Sequence, residues 1–239
     1  MKKSMKKEGK KMNKVILITG GSDGLGKAIA KQLNDEHKVI ILSKNKNKLD
    51  EAAKEIGCEY FVCDVTNFQM IENCINEIID KFGKIDVLIN NAGVWLDGDL
   101  IDNSYKEISE CIDVNTKGSI YMTKAVLPKM NENKEGLIIN VCSQLSFESD
   151  DMSPVYTATK WAVRGFNRCA QEYLSKKNIK VVGFYPGFMK TDIFKKAGND
   201  YDTTTGLDVE KVAKAIEFII NCDDDVVIPE FGIRSIENY

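Results

Sequence analysis

Short runs of apolar residues alternate with stretches of helical character along almost the whole chain. The apolar runs show no alternation with polar residues, which indicates strands buried on both faces. Helices between such strands indicate right-handed crossovers between parallel strands. The predicted strands cover residues 15–19, 39–43, 60–63, 85–90, 136–142, 181–185 and 226–228. The predicted helices cover residues 25–35, 46–56, 69–82, 104–130, 155–176 and 209–220.

This pattern predicts an α/β fold: a single-domain, doubly wound parallel sheet of the Rossmann type, with about seven strands and helices on both faces. A length of 239 residues suits one such domain. The chain has no internal repeat, no Pro/Gly/Ser-rich linker and only four prolines. Residues 1–14, which contain seven lysines, are predicted to be a disordered basic tail ahead of a domain at 15–239.

The composition narrows the class of protein. A net charge of -3 gives no reason to expect a nucleic-acid partner, although the basic tail leaves an RNA or membrane tether as an alternative to a solvated leader. No apolar stretch reaches the roughly 20 residues that cross a membrane. Seven scattered cysteines without CxxC spacing predict reduced thiols in a cytoplasmic protein without a zinc site. The one histidine, His37, argues against a histidine metal centre or a Ser/His/Asp triad, and we expect it to be an ordinary surface residue.

The first predicted strand runs into a glycine-rich turn, Thr19-Gly20-Gly21-Ser22-Asp23-Gly24-Leu25-Gly26, and then into a helix. Glycines at 20, 24 and 26 let the backbone turn tightly and approach a pyrophosphate. The free N–H groups and the positive end of the helix dipole attract phosphate at that point. A glycine-rich turn that binds nothing is the alternative, because such motifs are common.

Further motifs follow the glycine turn in a fixed order. They are Asp64 in Cys63-Asp64-Val65, Asn90-Asn91-Ala92-Gly93, Asn115, Ser143, Tyr156-Thr157-Ala158-Thr159-Lys160, and Pro186-Gly187 with Thr191. Together with the GxxxGxG spacing of the turn, they resemble the short-chain dehydrogenase/reductase (SDR) family from about residue 15 to the C-terminus. The resemblance implies an oxidoreductase that moves a hydride between a nicotinamide dinucleotide and the carbonyl or secondary alcohol of a small molecule.

The YxxxK spacing fits acid–base chemistry. Tyr156 and Lys160 are four residues apart and therefore project from one helix face. Lowering the pKa of a tyrosine from about 10 by about three units takes roughly 4 kcal/mol. One ammonium at about 4 Å supplies about that much at an effective dielectric near 20. A Tyr/Lys pair on a solvated helix is the alternative.

The resemblance assigns roles to four catalytic residues. It implies that Tyr156 is the general acid/base, and that Lys160 lowers its pKa and holds the nicotinamide ribose. Ser143 would hydrogen-bond the substrate oxygen. Asn115 would support a water that links Lys160 to solvent, unless its role is only structural.

The resemblance also assigns the cofactor site, with Asp64 at the adenine, Asn91 along the channel and Thr191 at the nicotinamide carboxamide. The cofactor-binding residues are Gly20, Ser22, Asp23, Gly24, Leu25, Gly26, Ser43, Lys44, Asp64, Val65, Asn91, Ala92, Gly93, Tyr156, Lys160, Pro186, Gly187 and Thr191.

The end of the second predicted strand bears on which nicotinamide is bound. NAD enzymes place an acidic residue there to accept from the ribose 2′-OH, whereas this chain has Ser43 followed by Lys44. A hydroxyl and an ammonium suit a 2′-phosphate, which favours NADP(H) and leaves NAD(H) as the alternative. Asp23 argues the other way, because NADP-preferring relatives often carry Arg or Lys at its position. Lys27 or Lys46 could offset its charge.

The expected substrate site is apolar and of modest size, unless several of its residues only pack under loops. Its candidate residues are Trp95, Leu145, Phe147, Met152, Phe188, Met189 and Phe194. An acidic loop at Glu148, Asp150 and Asp151 could favour a cationic or polyhydroxyl substrate or could simply be solvated. Residues 190–206, here called the lid segment, are predicted to be mobile and to cover the substrate.

Two other functions fit the same fold. A nicotinamide-binding sensor or scaffold without turnover is one, but such proteins tend to lose the Tyr/Lys pair. An epimerase or dehydratase of nucleotide sugars is the other, but those relatives are usually longer. The family resemblance also implies a homodimer or homotetramer that assembles through the two long helices at 104–130 and 155–176.

Overall fold

The computed structural model describes residues 13–238, so most of the predicted basic tail at 1–14 lies outside the described residues. Within residues 13–238, seven parallel strands form one sheet in the order β3-β2-β1-β4-β5-β6-β7. The strands are β1 (Val15–Thr19), β2 (Lys38–Ser43), β3 (Glu59–Val62), β4 (Val87–Asn90), β5 (Gly136–Val141), β6 (Ile179–Pro186) and β7 (Glu230–Ile233).

The same residues form eight α-helices, which lie on both faces of the sheet. They are α1 (Gly24–Leu33), α2 (Lys46–Ile56), α3 (Phe68–Phe82), α4 (Tyr105–Ile112), α5 (Ser119–Asn133), α6 (Pro154–Ser175), α7 (Ile193–Lys196) and α8 (Val209–Ile220). Strand order reverses at β1, whose neighbours are β2 on one side and β4 on the other. The predicted doubly wound fold is confirmed.

The sheet is buried on both faces because successive side chains of a strand point to opposite sides. In β1, Ile16 and Ile18 pack in the apolar cluster that includes residues of α1, α2 and α8. Val15 and Leu17 pack in a second cluster with residues of α3, α5 and α6. Both faces of β1 are therefore buried, which explains its unbroken run of apolar residues. The same holds for β2 and β4.

The last strand was predicted at 226–228, and this prediction is wrong. The strand is Glu230–Ile233, which pairs with β6 from Gly183 onward. A turn precedes residues 226–228, with the Val226 N–H donating to the Asp223 carbonyl at 2.9 Å. The side chains of Val226 and Val227 are exposed. Apolarity alone misplaced the strand, because the register against β6 decides which residues join the sheet.

The predicted helix at 104–130 is interrupted by a wider π-helical segment, Asp113–Gly118, between α4 and α5. A Cβ at Gly118 would lie 2.8 Å from Cγ2 of Val65, so this segment packs closely against the loop after β3. π segments often occur at functional sites, and this one carries Asn115. The helix begins with a capping box in which Ser104 and Glu107 satisfy each other's backbone N–H groups.

His37 was expected at the surface, and it is buried instead. It precedes β2, and its Nδ1 accepts from the Lys14 backbone N–H at 3.4 Å. A polar residue between a helix and a strand is usually exposed, but here β1 begins directly beside it. The histidine therefore has a structural contact at the amino end of the sheet.

Candidate active site

A cavity of about 800 Å³ opens at the carboxyl ends of the strands, where the strand order reverses. Open α/β sheets bind ligands in such crevices. Of the predicted catalytic and cofactor-binding residues, Gly26 and Asn115 do not line it. Those that line it are Gly20, Ser22, Asp23, Gly24, Leu25, Ser43, Lys44, Asp64, Val65, Asn91, Ala92, Gly93, Ser143, Tyr156, Lys160, Pro186, Gly187 and Thr191.

The glycine turn between β1 and α1 needs glycine for two different reasons. Gly20 and Gly24 have φ of 66° and 50°, in the left-handed region that other residues rarely adopt. Gly26 lies behind the turn, where a Cβ would be 2.4 Å from the Gly20 carbonyl oxygen. The turn thus presents its backbone N–H groups to the cavity at the start of α1, which suits the pyrophosphate of a dinucleotide.

The loop after β4 is bound directly to this turn. The Thr19 hydroxyl accepts from the backbone N–H groups of Asn91 and Ala92, both at 3.0 Å. The Asn91 side-chain amide donates to the Thr19 carbonyl at 3.0 Å. These bonds hold the Asn91–Gly93 segment along one wall of the cavity, where the sequence predicted a cofactor channel.

The end of β2 forms the far end of the cavity, beside the glycine turn. The Ser22 hydroxyl donates to the Ser43 hydroxyl at 3.1 Å, which joins the turn to the strand end. Lys44 pairs with Glu110 at 3.1 Å. In the next loop, Asp64 accepts from the N–H and hydroxyl of Thr66, so its carboxylate is held at the cavity wall.

Asp23 is neutralised by lysines other than those that the sequence suggested. Its Oδ2 lies 2.6 Å from Nζ of Lys196, on α7, and 3.8 Å from Nζ of Lys48, on α2. Its Oδ1 accepts from the Gly24 N–H at 2.7 Å and caps α1. Burial raises the pKa of Asp23, but the bonds from Lys196 and Gly24 and the charge of Lys48 outweigh it and the pKa is lowered. Lys27, which was suggested, pairs with Glu55 instead.

Tyr156 and Lys160 lie in the first half of α6, and both side chains are more than nine-tenths buried. The Lys160 Nζ is 5.4 Å from the centre of the Tyr156 ring. It donates to the Val141 carbonyl, at the end of β5, at 3.2 Å. The structure therefore brings the phenol and the ammonium together at the cavity wall on one side of their helix.

Ser143 follows β5 and faces the same part of the cavity. Its hydroxyl oxygen accepts from the Leu145 N–H at 3.2 Å and begins a short 3₁₀ turn, Gln144–Ser146. That bond uses an acceptor site of the hydroxyl and leaves its proton for another partner. The serine is thus both a cap and a donor at the cavity.

Asn115 is 1% exposed and lies behind the cavity wall. Its Oδ1 accepts from the Val94 N–H at 2.8 Å, and its Nδ2 donates to the Val94 carbonyl at 3.0 Å. It also donates to the hydroxyl of Thr159, next to Lys160, at 3.2 Å. The side chain joins the loop after β4 to α6, and its support of a water beside Lys160 stays a prediction.

The comparisons with known proteins agree with this geometry. A family model described as short chain dehydrogenase matches residues 14–202. The chain belongs to the short-chain dehydrogenase family. The expected family is therefore confirmed, and the members of this family are oxidoreductases.

Relatives and solved structures of this family match almost the whole chain. An uncharacterized oxidoreductase of Staphylococcus aureus (strain MW2) is 33% identical over 228 residues, covering 94% of this chain and 98% of the relative. A serine dehydrogenase in its closed form, complexed with NADP+, is 30% identical with a TM-score of 0.88, covering 94% and 96% of the two chains. An alcohol dehydrogenase from the archaeon Thermococcus sibiricus, complexed with 5-hydroxy-NADP, is 27% identical with a TM-score of 0.86, covering 94% and 97%.

Aromatic rings form the other half of the cavity in this short-chain dehydrogenase. The ring of Trp95 lies 4.4 Å from that of Tyr156 and 4.9 Å from that of Phe194. Phe194 in turn contacts Tyr201 at 5.2 Å and Phe188 at 5.3 Å. Leu145, Met152 and Met189 also line the cavity. The space next to Tyr156 is therefore bounded by apolar side chains.

Phe147 was predicted in this pocket, and that prediction is wrong. Its ring lies 4.6 Å from that of Tyr185 and 3.9 Å from the guanidinium carbon of Arg164, and it does not line the cavity. Phe147 directly follows the 3₁₀ turn Gln144–Ser146, and its ring packs on side chains of β6 and α6. The nearby Glu148 pairs with Arg234, which follows β7, so its charge is offset within the described residues.

The lid segment, residues 190–206, is held at its base and at its tip. At its base, Met189 and Leu207 pair through an isolated parallel β-bridge. Near its tip, Asn199 donates to Oδ1 of Asp97 and the Tyr201 hydroxyl donates to Oδ2, both at 2.6 Å. Burial raises the pKa of Asp97, but these bonds outweigh it and lower that pKa. The bond to Asp97 raises the pKa of Tyr201.

Sequence reasoning missed several of these residues. Asp97 and Lys48 belong to no motif, and Lys196 and Tyr201 were linked to the site only as members of the predicted lid segment. A second signal was the charge of Asp23 in the glycine turn, which indicated that a cation lies nearby. Among the described residues, no cluster of three His, Cys, Asp or Glu side chains is arranged to hold a metal, and no helix has the length and apolarity to span a bilayer.

Proposed function

We propose that this chain is an NADP(H)-dependent oxidoreductase that interconverts a carbonyl and a secondary alcohol in a small, mainly apolar molecule. One observation carries the proposal: Tyr156 and Lys160 lie buried on one side of α6, at the wall of a cavity that begins at the glycine turn. Ser143 shares that part of the cavity. The arrangement supplies a proton donor and a hydrogen-bond donor at one oxygen position.

The residues present fit a nicotinamide dinucleotide. The positive φ of Gly20 and the contact behind Gly26 leave a turn where backbone can approach a pyrophosphate. Thr191 and Lys160 would hold the nicotinamide end, and Asp64 and Val65 the adenine end. The bound nicotinamide would supply the hydride donor or acceptor.

Tyr156 moves the proton. In the reductive direction its hydroxyl donates to the carbonyl oxygen, and in the oxidative direction its phenolate accepts the alcohol proton. The Lys160 ammonium, held on the Val141 carbonyl, stabilises the phenolate through its charge. Ser143 donates a hydrogen bond to the same oxygen and stabilises the charge that develops on it.

The preference for NADP(H) is supported by the end of β2. No carboxylate of β2 is present to accept from a ribose 2′-OH, because Ser43 occupies that position. Lys44 and Lys48 line the same end of the cavity. The similar serine dehydrogenase and the T. sibiricus alcohol dehydrogenase are complexed with NADP+ and 5-hydroxy-NADP.

The absorbance of reduced cofactor tests this proposal directly. The intact protein is assayed against aldehydes, ketones, secondary alcohols and sugar alcohols, with NADPH or NADP+ and with NADH or NAD+. We expect turnover of apolar carbonyls, with NADPH preferred. Cofactor binding without turnover across the panel would favour the non-catalytic sensor, and a strong preference for NADH would contradict the cofactor assignment.

Homo-oligomeric assembly and a cytoplasmic location stay predictions. Large apolar side chains are exposed on the helices that would form the interface: Tyr105 and Ile112 on α4, and Trp161 and Tyr173 on α6. Burial of such residues between subunits would support a homodimer or homotetramer. Light scattering on a sizing column measures the mass that decides this.

A further inference from the structure

Lys196 connects two parts of the cavity that serve different ligands. It lies on α7, within the lid segment that covers the aromatic half. Its Nζ nevertheless reaches the Asp23 carboxylate at 2.6 Å, at the start of α1. Asp23, Lys196 and the strand end at Ser43 all line the same end of the cavity. The lid is therefore fastened to the cofactor side by one ion pair.

Both oxygens of the Asp23 carboxylate are already engaged with groups of the protein. Its Oδ1 accepts from the Gly24 N–H, and its Oδ2 faces Lys196 and Lys48. Asp23 also lies in the glycine turn and not at the end of β2, where NAD enzymes place the acceptor for the ribose hydroxyl. Its carboxylate holds the Lys196 ammonium near the hydroxyls of Ser22 and Ser43, which contact each other at 3.1 Å.

The charges at this end suit a phosphate. Three ammonium groups, those of Lys44, Lys48 and Lys196, line the cavity there. Among the nearby carboxylates, Asp23 faces Lys196 and Lys48, Glu110 pairs with Lys44, and Asp64 accepts from Thr66 in the next loop. The three ammonium groups and the hydroxyls of Ser22 and Ser43 offer donors for phosphate oxygens.

We propose that Lys196 binds the 2′-phosphate of NADP(H), so that one lysine both selects this cofactor over NAD(H) and holds the lid closed. The proposal rests on the proposed binding of a nicotinamide dinucleotide at the glycine turn. Asp23 is the positioning residue that keeps the ammonium in place. This accounts for an acidic residue at a position where NADP-preferring relatives often carry a base, since the base here comes from the lid.

The lid transmits this contact to the aromatic half of the cavity. Only a few residues separate Lys196 from Phe194, which packs against Trp95, and from Tyr201, which donates to Asp97. A phosphate that draws Lys196 towards the turn therefore favours the closed lid. Because coupling between sites is reciprocal, a closed lid in turn favours NADP(H) over NAD(H).

Nucleotide binding measured by fluorescence tests the selectivity. Lys196→Gln is compared with Lys195→Gln, a matched control on the same helix whose exposed side chain does not line the cavity. We expect Lys196→Gln to weaken NADPH binding roughly tenfold and to change NADH binding less than about twofold, as for loss of one charge-assisted hydrogen bond. Lys195→Gln should change neither. Equal losses for both nucleotides, or equal effects of the two variants, would overturn the proposal.

Hydrogen exchange of the lid segment tests the coupling without any turnover. In the wild type, NADPH should protect residues 190–206 more than NADH does, and Lys196→Gln should remove the difference. Without nucleotide, Asp23→Asn and Lys196→Gln should both increase exchange there, and Lys195→Gln should not. Equal protection by both nucleotides in the wild type would overturn the coupling while leaving the proposed oxidoreductase intact. If neither nucleotide binds the wild type, the proposed function fails as well.

Discussion

The two halves of the cavity are lined by side chains of different character. The half proposed to bind adenosine, here called the adenosine half, is formed by the glycine turn and the end of β2, and its side chains carry hydroxyls and charges. The substrate half is formed by Trp95, Phe188, Phe194 and neighbouring apolar residues, which interact through ring contacts. Electrostatic selection depends on salt and on single charges, whereas apolar selection depends on shape and buried area. The difference predicts that cofactor choice and substrate choice can be changed separately.

The largest effect is expected at the boundary between the halves. Tyr156→Phe removes the transferable proton and keeps the ring that contacts Trp95 at 4.4 Å. Turnover should fall about 1000-fold with every substrate, as expected for loss of a general acid/base. NADPH affinity, measured by fluorescence, should change little. Activity close to that of the wild type would remove Tyr156 from the mechanism.

A negative charge introduced at the end of β2 tests the adenosine half. Ser43→Asp places a carboxylate beside Ser22, where it repels a 2′-phosphate and accepts from a ribose hydroxyl. We expect kcat/KM with NADPH to fall about 100-fold, as for like charges in contact at an effective dielectric near 20. The value with NADH should rise. Ser43→Ala is the control, because it removes the hydroxyl without adding charge and should cost only a few-fold with NADPH.

Substitution of two phenylalanines that were both predicted in the pocket tests where the substrate half ends. Phe194→Ala removes a ring that lines the cavity and contacts Trp95, so KM for an apolar ketone should rise about tenfold. Phe147→Ala removes a ring that packs on Tyr185 outside the cavity. It should lower the melting temperature and leave KM unchanged. Similar KM values for the two variants would contradict the placement of Phe194 inside the cavity and Phe147 outside it.

The smallest effect is expected at the tip of the lid. Asp97→Asn weakens the bonds from Asn199 and Tyr201, so KM for the ketone should rise about threefold to fivefold with NADPH affinity unchanged. Because the folded pKa of Asp97 is lowered, its contribution is complete above the ordinary value near 4 and is lost as pH falls through the lowered pKa. KM measured from pH 6 to 8 should therefore show no step from Asp97. If KM changes between pH 6 and 8 in the wild type but not in Asp97→Asn, then Asp97 ionises in that range and its pKa is not lowered.

The adenosine half was largely predictable because its residues follow one another in the first third of the chain. The glycine turn and Asp64 each follow a strand, Ser43 is the last residue of one, and parallel strands bring their carboxyl ends to one edge. The substrate half was predicted less well, since Phe147 lies outside it and Tyr201 belongs to it. Apolar residues in loops look alike in sequence, and only the path of the loop decides which of them face the cavity.

The prediction of the strands was limited in the same way, because apolarity alone does not show which residues join the sheet. Strands β1 and β2 were evident because both faces of each are buried, which demands an unbroken apolar run. Strand β7 was misplaced by a few residues because Val226 and Val227 are as apolar as a strand but are exposed. Pairing with β6, and not composition, places the last strand.

The sequence by itself determined the parallel sheet, the glycine turn and the spacing of Tyr156 and Lys160, because each depends on neighbours along the chain. Only the tertiary structure decided which charges meet across the cavity. Lys196 reaches Asp23, and Tyr201 reaches Asp97 over a separation of 104 residues, because the loop after β6 packs over the crevice. No local sequence pattern predicts such contacts, because they depend on how two loops from distant strands come together.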